Sequence, residues 1–168
     1  MTDSFLTLIQ LFAATGEITG RKKCQKLVHI LQECRVDFGL DFKLALYGAY
    51  SSQLQTLMDD LIKEEYLKET PDNSAGFRTT RFSPHRRLSL TLKVLGASPA
   101  PVWKPLADKL NEKSPRDLET TSTILFLRSS GIPESDLKDQ FQRLKPHLIS
   151  QYESGLALAD EFKGLSAA

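Results

Sequence analysis

Apolar residues recur at helical spacing through most of this chain and alternate in only a few short stretches. Phe5, Leu8, Ile9 and Phe12 fall at i, i+3, i+4 and i+7, which predicts a first helix over residues 3–14. Gly16 breaks it, and Thr19 is placed to cap a second helix over 20–34, with Cys24, Leu27, Val28 and Leu31 as its buried stripe. Residues 42–47 alternate, with Phe42, Leu44 and Leu46 on one side, and read as a short strand closed by Gly48. Ser52 followed by Gln55 has the spacing of a capping box, and Leu54, Leu57, Met58, Leu61 and Ile62 then mark an amphipathic third helix. Residues 66–69 and 77–82 read as strands joined by the turn-rich 70–76. Helix, strand, loop, strand is the outline of a winged-helix unit. Residues 88–94 fit either a further strand or a helix.

Beyond the Gly/Pro-rich 96–101, every periodic segment is helical. Val102, Leu106 and Leu110 predict a helix over 101–113. Ser114-Pro115 is an N-cap with proline in the first turn of a helix that Gly131 ends. Leu137, Phe141 and Leu144 mark a helix over 133–145, stopped by Pro146. Ser150 with Glu153 is a second capping-box pattern, opening a last helix that carries Tyr152, Leu156, Ala159 and Phe162 and ends at Gly164. The expected fold is mainly α with a small β wing. A winged-helix-like half (1–95) joins through a linker (96–101) to a helical half (102–168), packed as one compact unit.

Composition agrees with that. The chain has 168 residues, 40% hydrophobic and 26% charged, a globular balance. The N-terminal apolar stretch lacks a basic leader and is broken by Thr7 and Gln10, so it reads as a docked helix rather than a signal peptide. No run approaches the ~20 apolar residues of a spanning helix, and a cytoplasmic location is expected. Cys24 and Cys34 share one predicted helix, where a rise of ~1.5 Å per residue sets them about 15 Å apart. They are expected as core thiols, neither disulfide-bonded nor metal-bound.

Two segments resemble a known family. Gly20-Arg21-Lys22-Lys23-Cys24-Gln25-Lys26-Leu27-Val28-His29 and Tyr47-Gly48-Ala49-Tyr50-Ser51-Ser52-Gln53-Leu54 resemble the bacterial YwgA family, which pairs a "GRKKLQK" helix with a "YGPYS" turn. Cys24 stands where that family usually has leucine and Ala49 where it usually has proline. Residues 118–127 and Lys145-Pro146-His147 are similar to the same family. A more distant similarity is to the Panacea domain of antitoxins, and that resemblance implies neutralising a toxin through protein contact. The tyrosine turn allows two readings: Tyr47 and Tyr50 packed between the second and third helices, or presented as an aromatic rim to a ligand.

Catalytic and metal motifs are missing: no phosphate loop, nucleophile elbow, zincin pair or dinucleotide fingerprint is present. His29 reads as an ordinary surface or half-buried histidine. Asp60 and Glu64, one helical turn apart, are the nearest approach to a cation site and read instead as a solvated face. No cofactor, no metal and no enzymatic activity are expected.

Charge supplies the remaining clue. The net +1 conceals blocks: −2 over 1–19, +3 over 20–56, −4 over 57–75, +6 over 76–113 and −2 over 114–168. Arg21, Lys22, Lys23 and Lys26 cluster at the start of the second helix, and Arg78, Arg81, Arg86 and Arg87 on and after the wing. A third helix bearing Asp59, Asp60, Glu64 and Glu65 is a poor major-groove reader, so a nucleic-acid interface would use the basic wing and the second helix. Opposed charge blocks also suit internal pairing or a protein partner. The leading expectation is a non-catalytic interaction module that binds a protein partner or self-associates through Arg21, Lys22, Lys23, Lys26, Tyr47, Tyr50, Arg78, Arg81, Arg86 and Arg87. A DNA- or RNA-binding regulator is the alternative, and an unrecognised enzyme the third reading.

Overall fold

The computed structural model describes residues 3–46 and 48–166. It is mainly α, with eight α-helices and two small antiparallel sheets among the described residues. The order is α1 (Asp3–Thr15), β1 (Ile18–Thr19), α2 (Arg21–Glu33), β2 (Lys43–Ala45), β3 (Gly48–Tyr50), α3 (Ser52–Lys63), β4 (Leu67–Asp72), β5 (Thr79–Pro84), α4 (Arg86–Val94), α5 (Lys104–Asn111), α6 (Pro115–Ser129), α7 (Glu134–Leu144), a 3-10 turn (Pro146–Gln151) and α8 (Tyr152–Ser166). One sheet has the order β1-β5-β4, with Ile18 opposite Phe82 and Leu67 opposite Pro84. The other is the β2–β3 hairpin, with Ala45 opposite Gly48. No helix among the described residues is long and apolar enough to cross a membrane.

Several local expectations shift. Thr19 does not cap α2; it pairs with Arg81 in β1, and Gly20 takes the cap position. The cap of α3 is Ser51, whose extended backbone lets Oγ accept from the Leu54 amide at 3.2 Å. A Ser-Ser dipeptide fits the capping pattern in either register, and the residue still extended takes the role. The strand expected over 42–47 narrows to Lys43–Ala45, because the chain turns at Leu46 and returns as β3. Residues 88–94 are helical within α4, where Leu88 and Leu92 bury one turn apart. The helix expected from Pro101 begins at Lys104, leaving Val102 96% exposed. Ser114 caps α6 as expected, accepting from the Asp117 amide at 3.1 Å. Ser150 instead lies inside the 3-10 turn, and α8 runs on through Gly164.

A single apolar core draws on both halves of the chain, from Leu8 and Phe12 through Leu31 and Phe82 to Leu110, Ile124 and Phe162. Polar contacts reinforce the join. Lys104 Nζ donates to the Ala14 carbonyl (2.7 Å) and Asn111 Nδ2 to that of Glu17 (2.8 Å). Within the second half, Arg128 on α6 reaches Glu134 of α7 (2.7 Å) and Asp160 of α8 (2.8 Å). Cys24 and Cys34 are buried, unpaired thiols in and just after α2.

The helix α6 lies between α2 and α8 and is enclosed on several sides, so it cannot show the one-sided stripe of a surface helix. Thr120, Thr121, Ser122 and Thr123 have no exposed surface. Buried hydroxyls need partners, and Thr120 and Thr123 donate to the carbonyls of Arg116 (2.9 Å) and Glu119 (2.8 Å). Small side chains here admit α8 to close range: a Cβ at Gly155 would sit 2.4 Å from Thr120 Cγ2. Gly155→Ala should therefore destabilise the fold by about 1–3 kcal/mol through overpacking, despite alanine's ~1 kcal/mol advantage in helices. Urea denaturation should show Thr120→Ser, which removes the offending methyl, restoring most of that loss.

Candidate functional site

The two segments that carry the family resemblance meet at one place. Gln25, buried on α2, clamps the backbone of Ser51. Its Nε2 donates to the Ser51 carbonyl (2.9 Å) and its Oε1 accepts from the Ser51 amide (2.8 Å). One turn pair further along α2, Gln32 grips Leu40 in the same two-point manner, at 2.7 and 3.0 Å. The chain from 35 to 51 is thus pinned to α2 at two points, and the β2–β3 hairpin between them has a fixed position. Gly48 has φ +99°, and a Cβ there would meet Lys26 Cε at 3.4 Å and Glu119 Cγ and Thr123 Oγ1 at 3.5 Å. Glycine supplies both the left-handed backbone and the clearance.

Below the hairpin lies a buried charge cluster. Lys145, 2% exposed, pairs with Glu119 at 3.1 Å and donates to the Leu46 carbonyl at 2.6 Å. Lys26, 4% exposed, sits beside them. Burial pushes the Lys26 ammonium down to about 8; Glu119 opposes this, while Lys145 and Lys22 add to it. Between α2 and the hairpin opens a cleft of about 210 Å³, walled by Arg21, Lys22, Gln25 and Lys26 on one side and Ala45, Gly48 and Tyr50 on the other, with Gln55 completing it. The hairpin also presents two large apolar groups outward, Leu46 (79% exposed) and Tyr50 (39% exposed).

Of the residues singled out in the sequence, Arg21, Lys22, Lys26 and Tyr50 are brought together here. Tyr47 lies outside the described residues. Lys23 turns away, donating to the Asn111 carbonyl at 2.5 Å. Arg78, Arg81, Arg86 and Arg87 are not among the cleft's walls. Arg78 is exposed on the β4–β5 loop and Arg86 is exposed at the first turn of α4, at opposite ends of β5. Several cations are answered by acids inside the fold: Arg21 by Asp59 (2.9 Å) and Glu69 (3.6 Å), Arg81 by Asp72 (3.6 Å) and Glu17 (3.7 Å), and Arg87 by Glu64 (3.4 Å). Asp59 of the third helix and Glu64 at its end are thus paired with basic residues of the same chain. No group of acidic, histidine or cysteine side chains fit to hold a metal occurs among the described residues.

Two elements of the site escaped the sequence reading, Glu119 and Lys145. Both fall in the segments similar to the family, 118–127 and Lys145-Pro146-His147, but nothing local ties either to α2.

His29 is buried, not half-exposed. Its Nδ1 lies 2.7 Å from Ser122 Oγ and its Nε2 lies 3.4 Å from Glu33. Burial pushes the Glu33 carboxyl up, yet hydrogen bonds from His29 and Ser129 outweigh it and hold the group below its ordinary range. Serine, histidine and acid are the components of a nucleophilic triad. Here Ser122 has no exposed surface and His29 only 1%, and the group joins α2 to α6.

Comparison with known proteins agrees with the motif-level resemblance. The chain is 28% identical over 159 residues to the uncharacterised protein YwgA of Bacillus subtilis, a match covering 93% of this chain and 94% of that one. The chain resembles the YwgA family along nearly its whole length. A shorter match, 33% identical over 81 residues, is to a DNA ADP-ribosyl glycohydrolase of Thermus aquaticus. It covers 48% of this YwgA-like chain and 22% of that protein. No family model matches.

The enclosed Lys26 has a measurable consequence. Its folded-state value lies below its unfolded one, so the fold carries a penalty at neutral pH that is relieved as pH rises from about 8 towards 10.5, where the folded protein releases the proton first. Lys26→Met should raise stability at pH 7 by up to about 3 kcal/mol at ~1.4 kcal/mol per pKa unit. Denaturation across this range should show the advantage shrinking with pH.

Proposed function

We propose that this chain is a non-catalytic cytoplasmic interaction module that binds a protein partner at the cleft between α2 and the β2–β3 hairpin. The observation that carries this reading is the convergence of both motif segments on one cleft. A buried cation lies at its side, and exposed Leu46 and Tyr50 stand on its hairpin wall. A large apolar or aromatic anchor beside a charged, partly desolvated group is the composition of an interaction hot spot. The Thermus match adds support, since a stretch resembling about half of this chain forms under a quarter of a longer protein, as a reusable module would. The Panacea-like helix and tyrosine turn suggest the antitoxin-like version of the same role by analogy.

The nucleic-acid alternative receives less support. The order of α1, β1, α2, α3, β4 and β5, with β1 beside β5, suits a winged-helix reading in which β4 and β5 form the wing. Yet Arg81 and Arg87, the cations such a wing would offer to phosphates, face acids of the same chain.

Affinity capture from a lysate of the source organism checks the proposal. Wild-type protein should retain a partner, and Leu46→Asp or Tyr50→Ala should weaken retention by at least about tenfold, the ~1–2 kcal/mol scale of interface anchors. Both side chains are exposed, so melting temperatures should stay unchanged. Equal retention by wild type and both variants sinks the assignment of this surface.

A further inference from the structure

We infer that the cleft between α2 and the β2–β3 hairpin is an oxyanion site, in which Lys26 receives a single carboxylate or phosphate group. The inference names the chemistry selected by the proposed partner surface, and rests on that reading for its biological use though not for the binding itself.

The argument begins with an imbalance of charge. Two buried lysines, Lys26 and Lys145, share one carboxylate, Glu119. Lys145 claims it at 3.1 Å and takes the Leu46 carbonyl as a second acceptor. Among the described residues Lys26 Nζ has no hydrogen bond and no ion pair within 4 Å, and the residue as a whole is 4% exposed. Burying most of a lysine without a direct ion pair is unfavourable, and folds usually neutralise or pair such a group. With a value near 8, Lys26 is largely protonated at neutral pH. The charge is therefore present, and the one carboxylate acting on it, Glu119, is directly paired with Lys145 instead.

The cleft that Lys26 lines has the matching character. Its walls hold no carboxylate among the described residues, and Lys22 contributes a second positive charge. Arg21 is occupied by Asp59 and Glu69, and the Gln25 amide is consumed at Ser51, so these two shape the site without being its donors. At about 210 Å³ the space falls below the ~300–1,000 Å³ of pockets that enclose whole drug-sized ligands or cofactors. It suits the anionic end of something larger, or a small free anion.

Lysine side-chain NMR on the full chain tests this directly. Sodium acetate and inorganic phosphate are titrated separately against sodium chloride at matched ionic strength, following the Lys26 Cε resonance. Saturable movement of Lys26, with its titration midpoint raised by a unit or more, is the expected result. Lys63 and Lys68, exposed on α3 and β4, should move little. Lys26→Met, which the charge burial predicts to be more stable than wild type, should show at least tenfold weaker binding in a calorimetric titration. Acetate binding the tighter points to an acidic side chain as the natural group; phosphate binding the tighter points to a phosphate ester. Movement of Lys26 no greater than that of Lys63 and Lys68 in both titrations overturns the inference, as does unchanged binding by Lys26→Met. Anion binding without any captured partner removes the proposed function and leaves this site standing. Partner capture that depends on Tyr50, with Lys26 unmoved, does the reverse.

Discussion

A primary amide carries an acceptor and a donor in one plane, and so can satisfy the N–H and C=O of a single residue at once, much as a neighbouring strand would. Gln25 does this for Ser51. The consequences spread in both directions from that one contact. Towards the C-terminus, Ser51 is held extended so that its hydroxyl caps α3. Towards the N-terminus, β3 is laid against α2 and α6, where Gly48 tolerates the approach of Lys26 and Glu119. Breaking the clamp would leave both a backbone pair and an amide unsatisfied in an enclosed place, a loss well beyond that of one exposed hydrogen bond. It also gives a physical reason for the two motif segments to occur together: neither the helix segment nor the tyrosine turn is complete without the other.

The second organising feature is the treatment of polar groups inside the core. A run of four hydroxyl-bearing residues on α6 has no exposed surface, and two of these satisfy themselves on the preceding turn of their own helix. This leaves α6 slim enough to be enclosed by its neighbours. The His29, Ser122 and Glu33 group serves the same junction from the α2 side. Charge is handled differently. Several surface cations meet acids that are near in space, whereas the buried cluster at Lys26 sets two lysines against the one carboxylate of Glu119.

Much of the fold was legible in the residues because it depends on local periodicity. The stripe of α3, the Ser114-Pro115 start of α6 and the all-helical second half are each written within one or two turns of chain. Local errors came from degenerate signals. Ser51 and Ser52 satisfy one pattern in two registers; Thr19 was free to cap but found a strand partner in Arg81; Ser150 matched a capping box inside what folds as a 3-10 turn. The site was legible only in part. Arg21, Lys22, Lys26 and Tyr50 announced themselves as motif residues and do converge. Counting charge by segment did not reveal that Arg21, Arg81 and Arg87 would be answered by acids distant in sequence, nor that Lys145 would reach Leu46 across 99 positions. Those facts are tertiary, and no spacing rule contains them.

The two thiols hold a last consequence. Burial pushes Cys24 up to about 12, against a small opposing pull from Arg21, and pushes Cys34 up to about 11 with help from Glu33. The thiolate is the form that attacks electrophiles and oxidants, and at neutral pH neither residue supplies it in useful amount. Both native thiols should therefore react slowly with thiol-directed reagents at neutral pH. Leu46→Cys or Tyr50→Cys would supply the more reactive thiol without either native cysteine being replaced, which makes the rim of the cleft open to site-specific cross-linking.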